Sequence, residues 1–190
     1  MNMRRAAICA AATISLAAAA CTLGTSGQPL CTQADDSVLV LEAQSVPSAT
    51  RLPCIAELPI GWGFAGMLVD DTSTTMWLSH DRAGVKAVEV ELRATCDVSS
   101  GVQVPPGPDE VGMQVYQQPT SLDPYTGSRW LRFEGGCIEY RYRFAPDSEP
   151  TLVIEADRAL STLPRSTVVS RVRNDLDLTL CGAGAPPCPG

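Results

Sequence analysis

Eight cysteines in a chain of 190 residues constrain this protein more than any other feature. Cys9 lies in an alanine-rich N-terminal stretch, and Cys21, Cys31, Cys54, Cys96, Cys137, Cys181 and Cys188 follow it. Close cysteine pairs do not recur and His80 is the single histidine, so zinc-ligand spacing is missing and disulfides are the expected use. The expected pairs are Cys31–Cys54, Cys96–Cys137 and Cys181–Cys188, each contributing about 2–4 kcal/mol. The last ties down a tail with little else to order it; the other two follow strand geometry. That leaves Cys21 over. An exported protein with one spare thiol is unusual, so Cys21 needs a different fate.

The N-terminus supplies one. Arg4 and Arg5 precede an uncharged run of Ala, Ile and Leu, too short to span a bilayer and about the length of a signal-peptide core. It ends in Leu16-Ala17-Ala18-Ala19-Ala20-Cys21, small residues directly before a thiol. This resembles the lipobox of bacterial lipoproteins, with Ala18 standing where Leu is usual. The resemblance implies diacylglyceryl transfer to Cys21 and cleavage before it. Cleavage by an ordinary signal peptidase, with release of a soluble protein, is the competing expectation, and an uncleaved anchor is a third. Residues 1–20 thus read as a signal peptide and residues 21–30 as a flexible tether that reaches about 30 Å when extended. Residues 31–181 form a single domain, and residues 182–190 a Gly/Pro-rich tail. The expected location is extracytoplasmic, at the outer face of the cell membrane, with secretion as the second choice.

The charge balance, 21 acidic against 14 basic residues, speaks against nucleic acid and against charge-driven binding to anionic lipid. Most of the middle reads as short strands. Val88, Val90, Leu92 and Ala94 alternate with Glu89, Glu91 and Arg93, which predicts a strand over 86–96 with one apolar face. Residues 37–44 predict a buried strand, 53–58 a single helical turn opened by Pro53, 64–69 and 75–79 further strands, and 111–115 another. Residues 118–127, with two prolines, predict a loop. Gly135-Gly136 predicts a two-residue hairpin in which Phe133 faces Ile138, Arg132 faces Glu139 and Trp130 faces Arg141. Its inner face carries Phe133, Leu131, Ile138, Tyr140, Tyr142 and Phe144, with Arg129 the exception. Leu152 to Leu163 recur at helical spacing, with Asp147 or Ser148 as cap and Pro164 as stop, and 168–176 predict a second, shorter helix. Leu176, Leu178 and Leu180 alternate like a closing strand. The fold class is therefore α+β: a mostly antiparallel sheet of short strands with two C-terminal helices, stabilised by disulfides.

No catalytic constellation emerges. Ser79-His80-Asp81 spells triad residue types, but neighbours on a strand point to opposite faces, and His80 reads as a solvated neighbour of Asp81. Asp70, Asp71 and Asp81 contain enough oxygen for calcium, though turns favour Asp in any case. Glu89 and Glu91 read as a wet sheet surface, and Arg132, Arg141 and Arg143 as a ladder neutralised by Glu134 and Glu139. Trp62, Trp77 and Trp130, with Arg141, are the candidate ligand patch, weighed against core packing. No cofactor and no metal is implied.

Val46-Pro47-Ser48-Ala49, Leu52-Pro53-Cys54, Leu58-Pro59 with Gly61-Trp62, Asp81-Arg82-Ala83-Gly84, Cys96-Asp97-Val98 and Phe133-x-Gly135-Gly136-Cys137-x-x-Tyr140 together resemble a group of uncharacterised exported or membrane-anchored actinobacterial proteins. That resemblance, running from Cys31 to Phe144, implies an envelope location and carries no activity. The functional expectation is a cell-envelope lipoprotein with a binding or structural role. It would attach to the membrane through lipid and meet an envelope protein or glycan. A hydrolase working through carboxylates is the alternative.

Overall fold

Period-two patterning in the middle of the chain requires a sheet with one dry face. In the computed structural model, which describes residues 27–33 and 37–182, Val88, Val90 and Leu92 are buried while Arg93 is exposed. In chain order the elements are α1 (Ser37–Ser45), β1 (Arg51–Ile55), β2 (Trp62–Val69), β3 (Ser73–His80), β4 (Gly84–Arg93) and β5 (Val102–Val104). A 3-10 turn (Pro108–Glu110) follows, then β6 (Gln114–Leu122), β7 (Tyr125–Phe133), β8 (Gly136–Arg143), α2 (Leu152–Ala159), β9 (Leu160–Pro164) and α3 (Arg165–Leu176).

Seven strands form one antiparallel sheet in the order β2-β3-β4-β8-β7-β6-β5, and β1 pairs with β9 in a second, two-stranded sheet. Met76, Leu78, Val88, Val90, Leu131, Ile138, Tyr140 and Tyr142 meet Leu39 and Ala43 of α1, Leu152 and Ala156 of α2, and Val168 and Val172 of α3 in one core. The protein is α+β, with its helices on one face of an antiparallel sheet and two of them C-terminal. None of the helices among the described residues is long and apolar enough to cross a membrane. Cys31 is bonded to Cys54 and Cys96 to Cys137, with Cα–Cα distances of 5.1 and 5.8 Å. Cys181 is also disulfide-bonded. Cys188, its expected partner, lies outside the described residues, as do the leader and Cys21.

Several local expectations are corrected. Residues 37–45 are helical: Val38, Leu39, Glu42 and Ala43 are buried at helical spacing, a pattern that a short apolar run cannot separate from a strand by periodicity alone. The predicted turn at 53–58 is instead strand β1, which tolerates Pro53 because it belongs to a sheet with one neighbour. Val111 is exposed, and β6 starts only at Gln114. The predicted loop at 118–127 is mostly strand: β6 and β7 run on to a turn at the cis Asp123–Pro124 bond, with Pro119 beside a bulge, beyond the reach of β5. The predicted helix over 152–163 stops at Ala159, because Leu160 to Pro164 pair with β1, while α3 is the longer of the two C-terminal helices. Residues 177–180 form no strand.

The β7–β8 hairpin keeps its predicted faces but not its partners. Phe133 pairs with Gly136, Leu131 with Ile138 and Trp130 with Glu139, so the turn residues are Glu134 and Gly135. The neighbouring chain fixes this slip. Ser48 Oγ donates to the Gly135 carbonyl at 2.6 Å and Thr50 Oγ1 to that of Glu134 at 2.7 Å. Gly135 takes φ +72°, and a Cβ there would lie 1.9 Å from the Ser48 carbonyl oxygen. Only glycine fits.

Candidate functional site

Arg129 is the one charged side chain that alternation sends to the dry face of β7. Carboxylates gather around it. Its Nη2 donates to Glu110 Oε1 at 2.6 Å, and its Nη1 to Asp157 Oδ2 at 3.4 Å. Glu110 is aimed by the 3-10 turn, where its other oxygen accepts the Gly107 N–H at 2.7 Å. Asp157 projects from α2 and accepts a hydrogen bond from the Tyr142 hydroxyl through Oδ1. Burial pushes the Asp157 carboxyl above the ordinary carboxylate range, with Glu110 adding to the shift and the Tyr142 hydrogen bond and Arg129 opposing it. Burial raises the Tyr142 and Tyr140 phenols as well.

Two small cavities flank this cluster. One, of about 200 Å³, lies between the 3-10 turn, β7, β8 and β9; the other, of about 180 Å³, lies toward Gln117, Tyr125 and Val153. Arg129 and Asp157 border both. A single guanidinium thus fixes two carboxyl groups from distant parts of the chain at the mouth of a polar hollow.

The predicted tryptophan patch is not assembled. Trp62 is buried on the core side, its ring 4.8 Å from His80 and its Nε1 donating to Glu155 at 3.2 Å. Trp77 lies on the outer face, where its Nε1 donates to Glu89 at 2.9 Å beneath Lys86. Trp130 is buried beside Gly101 and is paired with Glu139 rather than with Arg141. Arg141 instead engages Glu89, Glu91 and Glu139. Its guanidinium is held above its ordinary value, first by the Glu139 hydrogen bond. Glu91 is therefore buried in an ionic knot rather than wet, and Arg132 takes no part in it.

His80 is buried, contrary to the solvated reading. Its Nδ1 accepts the backbone N–H groups of Arg82 and Ala83 at 3.1 and 3.2 Å, so it organises the β3–β4 turn. Asp70 and Asp81 lie at opposite ends of β3 and do not converge. The Asp70 carboxyl is committed to its own turn, and the Thr72 and Ser73 hydrogen bonds hold it below its usual range.

Sequence reasoning missed Glu110 and Asp157 altogether. The signal that was present is Arg129, a base on an otherwise apolar strand face. No protein-family model, curated protein or solved structure matches the chain. The disulfides suit an oxidising, extracytoplasmic compartment.

Proposed function

We propose that the protein is a lipid-anchored component of the cell envelope that binds a small ligand in the hollow beside Arg129 and does not turn it over. The observation that carries this is the charge arrangement. Glu110 and Asp157 both spend their charge on one arginine, which suits holding a shape more than moving protons. The leader, the odd cysteine at position 21 and the disulfides support the envelope location. Metabolic labelling with a fatty-acid precursor tests the anchor: the wild type takes up label and Cys21→Ala does not. Equal labelling of the two removes the anchor from the reading.

A hydrolase is the second reading, and one observation favours it. A carboxyl raised by burial, Asp157, shares a cavity wall with a second carboxylate, Glu110, the pairing that general acid catalysis uses. Chromogenic glycosides and esters distinguish the two. Turnover that is lost in Asp157→Asn supports the enzyme, and no turnover supports the binder.

A further inference from the structure

We infer that the cavity of about 200 Å³ beside Arg129 is a site for one uncharged, polyhydroxylated ring, chemically a single sugar unit. The inference rests on the binding reading above and names its ligand class.

Size sets the first limit. A void of about 150 Å³ already admits benzene, so one substituted six-membered ring fits this cavity and a peptide segment does not. The Arg129–Asp157 pair stands between this cavity and the second one, which confines the occupant to one ring.

Unspent hydrogen bonding sets the second. Tyr140 is only 4% exposed, yet it lines the cavity and its hydroxyl makes no hydrogen bond among the described residues. The Ser161 hydroxyl, on the same wall, also has no partner among the described residues. The Tyr140 hydroxyl is not itself enclosed by protein, so it opens onto the cavity, where a ligand hydroxyl can take the place of water.

Charge sets the third. An anion would meet Asp109, Glu110 and Asp157, and the charge of Arg129 is already shared between the last two; its Nε, buried without a partner among the described residues, keeps an N–H for a neutral acceptor. A cation would meet the guanidinium. Neutral hydroxyls suit both, since each engaged carboxylate oxygen keeps a second lone pair able to accept. Leu131, Leu160 and the Tyr140 ring supply apolar surface for the C–H edge of the ring.

The test is a titration of the isotope-labelled mature protein in detergent micelles, followed through its amide chemical shifts. The probes are glucose, arabinose and N-acetylglucosamine, against phosphate and putrescine as charged comparators. At least one neutral sugar is expected to give saturable shifts at Leu131, Tyr140 and Ser161. Tyr140→Phe should weaken binding about fivefold, the loss of one neutral hydrogen bond, and Ser161→Ala should act in the same direction. Both variants should melt with the wild type, because neither hydroxyl is bonded to another of the described residues. Saturation by phosphate or putrescine alone overturns the ligand class and leaves the binding reading standing. Silence from every probe, or wild-type affinity in both variants, overturns the inference and takes the pocket with it. The anchor is untouched in either case, since it is read from Cys21 labelling.

Discussion

Replacing Glu42 by glutamine is expected to flatten the pH dependence of stability in mildly acidic solution. Glu42 faces the core from α1, fully buried, and neither carboxyl oxygen has a hydrogen-bond partner among the described residues. Burial therefore lifts its carboxyl well above the ordinary value of 4.5. The folded protein then holds a proton that the unfolded chain releases above that value. The stabilising contribution is fully present below 4.5 and is lost as the pH rises toward the folded value. One proton of difference corresponds to a slope of about 1.4 kcal/mol per pH unit. Urea unfolding with the disulfides intact, at about pH 5, 6 and 7, measures it. The wild type should lose stability relative to Glu42→Gln as the pH rises above about 5, by at most about 1.4 kcal/mol for each unit. Glu42→Met, which removes both orphan oxygens and keeps the bulk, should be more stable than the wild type by about 1–3 kcal/mol at neutral pH. Parallel stability curves for the wild type and Glu42→Gln would refute the reasoning, because they would mean that Glu42 is ionised or hydrated in the folded state.

Removing the Cys96–Cys137 bond, which closes 41 residues, should cost about 4 kcal/mol in urea unfolding, and removing Cys31–Cys54, which closes 23, about 3 kcal/mol, through the entropy returned to the unfolded chain. Arg129→Met should lower stability, by less than the roughly 3 kcal/mol of a fully buried pair, since it leaves the partly buried Glu110 and Asp157 without their counter-ion. Chemical denaturation of the variant against the wild type checks this, and an unchanged midpoint would mean that the cluster is solvated.

The fold was legible where one face of an element is dry and the other wet. Val88, Val90 and Leu92 against Glu89 and Arg93 leave β4 no other conformation, and the faces of β7 and β8 follow in the same way. Partner choice was less legible. Moving the turn from Gly135-Gly136 to Glu134-Gly135 keeps every side chain on its face, so alternation is blind to the difference, and contacts from Ser48 and Thr50 decide it. Residues 37–45 carry a β-branched apolar run that suits either conformation, and packing against β1, β2, β3 and α3 selects the helix. Leu160 and Leu163 fit helical spacing, yet β1 needs a strand beside it. The site was half visible. Arg129 stood out as a charge on an apolar face, while Glu110 and Asp157 lie 19 and 28 residues from it and meet it only through the tertiary fold.

The proposed anchor and the oxidising location both depend on sulfur, with one cysteine acylated and the others disulfide-bonded. Intact-mass analysis of the protein extracted from its native membrane, before and after treatment with a thiol-alkylating reagent, tests this most directly. The predicted species begins at Cys21, carries acyl groups there and takes up no alkylating reagent. A chain starting at Thr22 or later, an unmodified Cys21, or alkylation anywhere in the domain would contradict it.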